Sequence, residues 1–550
     1  MGFPLNLDDF QNPTPSTPTN SPTMPLSGQI SQLNNAVEAI EAVIGVTGSQ
    51  VAGSLEKRMT DVQAVASGAA ASISAHAAAA DPHAQYLRNA DVPAGLISNQ
   101  SVSLPGIGWD SNKYPIAPSY SVGFGGVMRG SAGITPEALF DMFSVARTAP
   151  TNTYYVDIAT GSDSNSGTSG SKFKSIRKAV DAGNTAAAPF KVYVTAGEYD
   201  RVNTFYGNPG TTPTQDCAFI AVGGTVVCGT WDSFTASADG THTNTYSFAL
   251  TNVIRCLDLL NKNQDGTYKQ LVNVATAALC NLRPGSWASV SGTIYVNRGD
   301  GAAVTTSNTR VLRQAPVLYL PNTAQVSVYV GADTQDCGWE MHGSDTTATL
   351  RQICTTVTAS NKALVVKNCA FRFAGGFGAA TARCVTVDSY PGIAAFFDCE
   401  CSVSASDGFN FKNTAPASPT TACLTVNCSG SLFGEPGSTS NNGWTLHNDV
   451  VGIDICGRYR ASAGGNVHNI NTSKAALIGT TIADDAGDRH FGGTINPTAV
   501  RAANTAEIQM YGCAVLQPSG LHLHAADTAV IVTDADVARL RVAGNVTQRA

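Results

Sequence analysis

Charge is what this 550-residue chain has least of. Asp, Glu, Lys and Arg together make up 13% of it, roughly half the share usual in soluble proteins. The net charge of −7 comes without a basic cluster, which excludes the electrostatic footprint of a nucleic-acid-binding protein. No apolar run approaches the roughly 18 residues of a membrane-spanning helix, so no membrane insertion is expected. Residues 1–10 have neither the basic start nor the apolar core of a secretory leader, and Asn6 stands where a myristoylation pattern needs Ser or Thr. All fourteen cysteines lie between Cys217 and Cys513, and their spacings do not make zinc knuckles. Neither a metal nor a cofactor is expected. The thiols are either small interior apolar groups or disulfides formed after exposure to an oxidising medium.

What is there is a repeat. ALVVKNC (363–369), AAFFDC (394–399), CLTVNC (423–428), GIDIC (452–456) and EIQMYGC (507–513) are short β-like runs that each end at a cysteine. The intervals between Cys369, Cys399, Cys428, Cys456 and Cys513 are 30, 29, 28 and 57 residues, the last about two periods. A fixed period of this size predicts a solenoid. A second mark follows each of the last four cysteines, a glycine opening a second strand: Gly408-Phe-Asn-Phe-Lys-Asn, Gly443-Trp-Thr-Leu-His-Asn, Gly465-Asn-Val-His-Asn and Gly520-Leu-His-Leu-His. Stacked coils would then present one side chain per coil in a column, at ~4.8 Å per step.

Residues 1–26 are rich in Pro, Thr, Ser and Asn, cannot build a core, and read as an extended attachment peptide. Over residues 27–87, Ile30, Leu33, Val37, Ile40 and Ile44 step by 3, 4, 3 and 4, and Leu55, Met59, Val62 and Ala66 resume the seam after Gly45-Val-Thr-Gly48. That is a short coiled-coil pattern, or else a helix lying on its own domain; the identities do not separate dimer from trimer. Residues 88–150 read as a neck with one helix, Thr135 its N-cap, Pro136 its first residue, and Leu139, Met142 and Phe143 its buried face. The body is expected over 151–535, with an insertion around 230–325 that carries a hairpin from Asn281 to Val296, and 536–550 as a C-terminal strand or tip.

Two stretches resemble known families. His76-Ala-Ala-Ala-Ala-Asp81-Pro-His83-Ala-Gln-Tyr-Leu87 resembles the Asp-Pro-His-x-Gln-Tyr-Leu element of bacteriophage tail-fibre and tailspike proteins, and residues 30–49 resemble the N-terminal attachment segments of phage fibres. This implies a homotrimeric virion fibre, assembled in the host cytoplasm and bound to other virion proteins through residues 1–26. His76 and His83 are trimer-junction packing or a metal pair on a threefold axis. Tyr154-Tyr-Val-Asp157, the polar loop 161–171, a helix presenting Phe173, Ile176, Ala179 and Val180, and Lys191-Val-Tyr-Val194 resemble the opening of right-handed parallel β-helix proteins of the pectate-lyase-like superfamily, where the helix caps the first coil. The fold class is therefore mainly β: a right-handed parallel β-helix body with a short N-terminal helical coiled-coil stalk.

The Gly-marked columns carry the candidate chemistry. Lys412, His447 and His468 are expected in one column, followed by Asn413, Asn448 and Asn469, with Asp407 and Asn442 before the glycines and Asp449 just beyond. Such a corner is either a ladder of side chains that satisfies turn carbonyls or a groove aligning donors and acceptors along a glycan. In the second case Lys412, Asn442 and His468 would bind glycan. Asp407 and Asp449 would be the two carboxyls of a hydrolase, about 5–9 Å apart, or His447 the base of a lyase. Glu340, Asp345 and Glu435 are further acids of the repeat, and Asp484, Asp485, Asp488 and His490 form either a solvated loop or a calcium site. Three functions follow: host-surface polysaccharide recognition, polysaccharide depolymerisation, or a purely structural head, neck or baseplate fibre. Replacing both Ile40 and Ile44 by Asp would bury unpaired carboxylates in the seam. The oligomer should then fall apart in sedimentation; an unchanged mass would rule the seam out as the assembly element.

Overall fold

The computed structural model describes residues 61–64, 67, 99–101, 107–114, 116, 119–122, 128–205, 212–263, 266–320, 326–354, 362–376, 381–415, 421–434, 441–483, 498–516, 521–535 and 537–549. The chain divides into two units, Met1–Pro93 and Ala94–Ala550. In the first, residues 61–64 and 67 are helical and exposed; the attachment peptide, the rest of the seam and the Asp81–Leu87 element lie outside the described residues. Among the described residues no helix is long and apolar enough to cross a membrane.

The second unit is a parallel β-helix. Each coil of the repeat contributes three short strands. The first sheet stacks strands such as Ala363–Lys367, Ile393–Phe397, Ala422–Val426, Val451–Ile455 and Lys474–Ile478, and the second Cys369–Ala374, Glu400–Ser404, Ser429–Phe433 and Arg458–Ser462. The third sheet has nine strands, from Leu318–Leu320 to Val542–Gly544. Pairing between coils is parallel throughout all three. Alternate side chains therefore point inward, and Phe371, Phe396, Phe409, Phe411, Cys423, Trp444 and Leu446 fill one continuous core.

A single residue turns the first sheet into the second. Asn368, Asp398, Asn427, Cys456, Gly479 and Gly512 hold this corner, with φ of 50°, 52°, 54°, 55°, 62° and 60°. The left-handed region suits Asn, Asp and Gly, and each of the first five donates its N–H to a carbonyl of the next coil. The cysteines follow immediately. Cys369, Cys399 and Cys428 stack at the start of the second sheet, inside the core, as the period requires. Cys399 Sγ donates to the carbonyls of Phe397 (3.3 Å) and Val366 (3.6 Å). Cys456 departs from the expectation. It occupies the corner itself, and Gly457 takes the place in the column. The next coil carries Thr480 there and the one after it Cys513, so the 57-residue interval holds two coils of unequal length. All fourteen cysteines are unpaired thiols, twelve of them buried.

The first coil is capped by the helix α1, Ile176–Ala186, whose N-cap Ser175 accepts from the Lys178 N–H (3.1 Å). Phe173, Ile176, Ala179 and Val180 are all buried, as their spacing predicts. After the long strand Cys217–Gly229 the chain leaves the helix and returns at Leu318–Leu320. The excursion has its own core around Trp287, Ile294 and Val296 and contains the predicted hairpin, Ser286–Val290 with Thr293–Asn297. Its Ile254, Leu257 and Leu312 pack against Phe373, Val403, Leu432 and Ala461, a column of the second sheet in which φ is again positive at 62°, 56°, 62° and 53°.

Two expectations need correction, the buried face of the neck helix and the boundary at 535. The described residues of the neck lie against the body. Ile107, Trp109, Tyr114, Leu139 and Phe140 pack in one cluster with outward residues of the first sheet, among them Val365, Ala395, Leu424 and Ile453. The neck helix α2, Pro136–Asp141, is capped by Thr135 as expected, but Phe140 rather than Met142 is buried. The helix ends at Asp141, so its periodicity does not reach Met142, and Phe140 meets the Tyr329 ring at 5.5 Å. Glu137 accepts from Lys367 Nζ (2.7 Å) and Tyr329 Oη (3.1 Å), pinning α2 to the sheet. The boundary at 535 also moves: Val542–Gly544 and Val546–Gln548 pair with the third and first sheets, so the β-helix continues through them.

One carboxyl points into the core. Asp454 is fully buried and accepts from Thr425 Oγ1 (2.6 Å), Tyr459 Oη (2.8 Å) and Thr480 Oγ1 (2.6 Å). Burial raises its pKa despite these three donors. The folded state therefore holds the proton to higher pH than the unfolded chain does, and stability falls as pH rises through the folded value. Asp454→Asn should remove this loss, gaining on the wild type between acidic and neutral pH in thermal melts; parallel pH profiles would overturn it. Asp454→Ala should cost about 1–3 kcal/mol at acidic pH by orphaning the donors, and less as pH rises and the wild type loses the contribution of the protonated carboxyl.

Candidate functional site

The outward face of the third sheet collects most of the residues singled out in the sequence. Its strands here are Arg383–Asp388, Phe409–Lys412, Trp444–His447, Val467–Ile470 and Thr498–Ala502. Phe409, Phe411, Trp444, Leu446 and Val467 point into the core, so the residues between them point out. The register then gives one central column: Arg351, Thr386, Asn410, Thr445, His468, Arg501 and His524.

This register corrects the expected column. His468 stands beside Thr445, and His447 pairs with Ile470. Lys412 lies level with His447, since Phe411 pairs with Leu446. His468 lies three residues beyond Gly465, whereas Lys412 and His447 lie four beyond Gly408 and Gly443, and Asn466 sits between that glycine and its strand, so His468 falls two positions short of the level of His447. The asparagine ladder is present with a different third member. Asn448 Nδ2 donates to the Asn413 carbonyl, Asn471 Nδ2 to Asn448 Oδ1 (2.5 Å), and Asn504 and Asp527 continue the line. Asn469 instead faces inward and is fully buried.

The acids are tied down. Asp407 is buried and accepts from the Asn442 N–H (2.8 Å), Asn442 Nδ2 (3.3 Å), Asn410 Nδ2 (2.7 Å) and Arg383 Nε (3.3 Å). Asn442 is thus a brace of the turn. Asp388 pairs with Lys412 Nζ (3.2 Å) and accepts from Thr414 Oγ1 (2.8 Å). Asp449 is exposed beyond the far end of its strand and accepts from Asn413 Nδ2 (2.7 Å). Asp407 precedes a strand and Asp449 follows the neighbouring one, so the four-residue strand, roughly 13 Å long, lies between them. That separation does not suit a hydrolytic pair. Of the other acids, Glu340 accepts from His342 Nε2 (2.6 Å) and Arg372 Nη1 (2.8 Å) on the second sheet, and Asp345 from Arg351 Nη1 (2.9 Å). Glu435, the 484–490 cluster, His76 and His83 lie outside the described residues.

The imidazoles are neutral by environment. Asn410 Nδ2 donates to His447 Nε2 (3.2 Å), which fixes that nitrogen as an acceptor. Burial holds the His447 pKa below its ordinary value, opposed by Asp407 and assisted by Arg383 and Lys412. His468 is drawn down to about 3, chiefly by burial and then by Arg501, His447 and His524.

Sequence reasoning passed over Thr386, Asn410, Thr445 and Arg501. Their signal is the alternation itself: Asn410 between Phe409 and Phe411, Thr445 between Trp444 and Leu446. Thr386, Asn410 and Thr445 are 0% exposed and His468 7%. Yet Thr386 Oγ1, Asn410 Oδ1, Thr445 Oγ1, His468 Nε2 and Arg501 Nε have no hydrogen-bond partner among the described residues. Leaving such groups unmet costs about 1–3 kcal/mol each, and successive coils repeat the arrangement.

No family model matches the chain, and no curated protein does. Among solved structures, the complex of XylC with xylose is 11% identical over 72% of this chain and 70% of its own, with a TM-score of 0.39. A glycoside hydrolase is 9% identical over 72% of this chain and 96% of its own, at 0.37. The pectate lyase Pel9A is 12% identical over 72% and 82%, at 0.30. Likenesses of this size carry no argument about what the chain does.

The unfolded chain takes up a proton at His468 near the ordinary histidine value of about 6.5, whereas the folded protein does so only near 3. The stability linked to this group is present above the ordinary value and lost as pH falls toward the folded one. His468→Gln should therefore flatten the fall in melting temperature between neutral pH and pH about 5. An unaltered slope would mean that His468 charges in place.

Proposed function

We propose that the protein is a bacteriophage surface-recognition fibre that engages a host polysaccharide along the outward face of the third sheet. The observation that carries the glycan reading is the column of outward-pointing, buried polar atoms without partners at Thr386, Asn410, Thr445 and His468. Sugars offer hydroxyls that both donate and accept, which is what hydroxyl, amide carbonyl and imidazole groups spaced at ~4.8 Å require. Lys412 and His447 flank the column. The virion half of the reading is supported by the Asp81–Leu87 element, and its partners would be two further copies of the chain, the particle through residues 1–26, and the glycan.

Recognition is favoured over cutting because Asp407 and Asp388 have their oxygens occupied by donors. One observation favours cleavage as a second reading. His447, kept neutral and level with Lys412, would serve as a general base once a substrate hydroxyl displaces the Asn410 amide from its Nε2.

The test uses the full-length protein and a panel of bacterial capsules and lipopolysaccharide O-chains. Asn410→Ala with His468→Gln should weaken binding to the recognised polysaccharide by about tenfold or more, worth about 1.4 kcal/mol per decade, while the protein still melts cooperatively. Full binding by the double variant would remove the site from this face. New reducing ends or unsaturated products that disappear in His447→Gln would establish the second reading in place of the first.

A further inference from the structure

The second sheet carries a different surface. One outward column runs Glu340, Ala370, Glu400, Ser429, Arg458, Thr481 and Ala514; the other runs His342, Arg372, Ser402, Ser431, Arg460 and Ala483. In the earlier coils these charges cancel one another. Glu340 takes His342 and Arg372, and the Arg372 fork also holds Glu400 through Nε (3.2 Å) and Nη2 (2.8 Å). Ser402 Oγ completes Glu400 at 2.7 Å.

Beyond Glu400 the pattern changes. A cleft of about 420 Å³ opens there, with Glu400 at its edge and Ser429, Ser431, Arg458, Arg460 and Thr481 in its lining. Its neighbours in register are small, so the surface dips where the two arginines emerge from one strand. Arg458 is exposed, and the side chains stacked on it are Ser429 on one coil and Thr481 on the next. The nearest acid of its column, Glu400, is two coils away, about 9–10 Å, and is already held by Arg372 and Ser402. Arg458 has no carboxylate partner among the described residues.

We propose that this cleft is a second glycan site, selective for a sugar that carries a carboxylate. It rests on the reading that the protein engages polysaccharide, but on another face and another chemistry. The guanidinium of Arg458 offers a planar fork that matches a carboxylate with two parallel hydrogen bonds. Ser429, Ser431 and Thr481 place hydroxyls on the coils around it, within reach of the hydroxyls of the same sugar ring. The third-sheet groups invoked above, Thr386, Asn410, Thr445 and His468, are neutral, but Arg501 is next in their column and Lys412 stands beside it, so it is the loss of selectivity on Arg458→Gln that assigns it to this cleft. The two faces together would bind an acidic polysaccharide at two points, and tethering converts the second contact into an intramolecular one.

The probes are trigalacturonate and 3′-sialyllactose as carboxylate-bearing sugars, with neutral galactotriose as the control, titrated calorimetrically into the full-length protein. At least one acidic sugar should bind, the neutral one should bind at least about tenfold more weakly, and added salt should weaken the acidic complex. Arg458→Gln should abolish the difference between acidic and neutral sugar. Arg458→Lys, which keeps the charge and loses the fork, should recover only part of it. Melting curves of both variants should overlay the wild type, since the side chain is exposed. Failure of both acidic sugars to bind, or binding unaffected by Arg458→Gln, overturns the proposal. The third-sheet reading is judged separately by Asn410→Ala with His468→Gln, so either reading can fail while the other stands.

Discussion

Backbone hydrogen bonding between like positions of successive coils is the constraint on which the rest of this protein depends. Once Ala370 pairs with Glu400, Glu400 with Ser429 and Ser429 with Arg458, every side chain is assigned a column and a face. The register survives the loops because one residue turns the first sheet into the second in six successive coils, from Asn368 to Gly512. That residue must enter the left-handed region, which for L-residues other than Asn, Asp and Gly costs about 1–3 kcal/mol. Asn368, Asp398, Asn427, Gly479 and Gly512 avoid most of that cost; Cys456 does not. Loops of any length can then leave at the other corners without disturbing the stack, as the return at Leu318–Leu320 after the insertion demonstrates.

Three sheets with the same pairing have three different outward faces. The first is apolar, with Val365, Ala395, Leu424, Ile453 and Ile455 outside as well as in, and it accepts Trp109, Leu139 and Phe140 of the neck. A sheet buried on both sides reads as continuous apolar runs, which is why GIDIC and ALVVKNC look alike. The second is charged and then small. The third alternates aromatic residues inside with Thr, Asn and His outside. Among the described residues, the third turns a run of neutral polar atoms outward, buries them and leaves them without partners, and that conjunction marks it as the place where a hydroxyl-rich ligand fits.

The period was legible because the corner and the cysteine after it are chemically conspicuous in three successive coils. It slipped at Cys456, where a cysteine sits in the corner and a glycine in the column; a cysteine marks the position only by being small and apolar, and Gly457 and Thr480 are small enough to replace it. The site slipped for a similar reason. Glycine was read as the start of the strand, yet hydrogen bonding and not glycine sets the register, and Asn466 intrudes before Val467. The candidates still fell on the correct face, since Lys412, His447 and His468 all alternate with apolar neighbours. What the sequence could not show is which acids are satisfied. Asp407 depends on Arg383, Asn410 and Asn442, whose convergence exists only once the coils stack.

The insertion belongs to the same logic. In the second sheet Phe373, Val403, Leu432 and Ala461 each adopt positive φ within the strand, a left-handed kink repeated coil after coil without a change of register. For a β-branched residue such as Val403 this is a costly conformation, and it turns an apolar column out of the main core. Such strain persists only where packing over-determines it. Ile254, Leu257 and Leu312 supply that packing, and Arg255 Nε reaches the Gly375 carbonyl at 2.7 Å to fasten the contact. The insertion is therefore a cover for the apolar column that the kink turns outward. Arg310, stacked over the Trp231 ring at 4.0 Å, continues that cover into the Glu340–Arg372–Glu400 network. The charged network ends at Glu400, while the apolar contact runs on through Leu432 to Ala461. The insertion thus covers the ends of the same strands whose starts, Ser429 and Arg458, line the cleft.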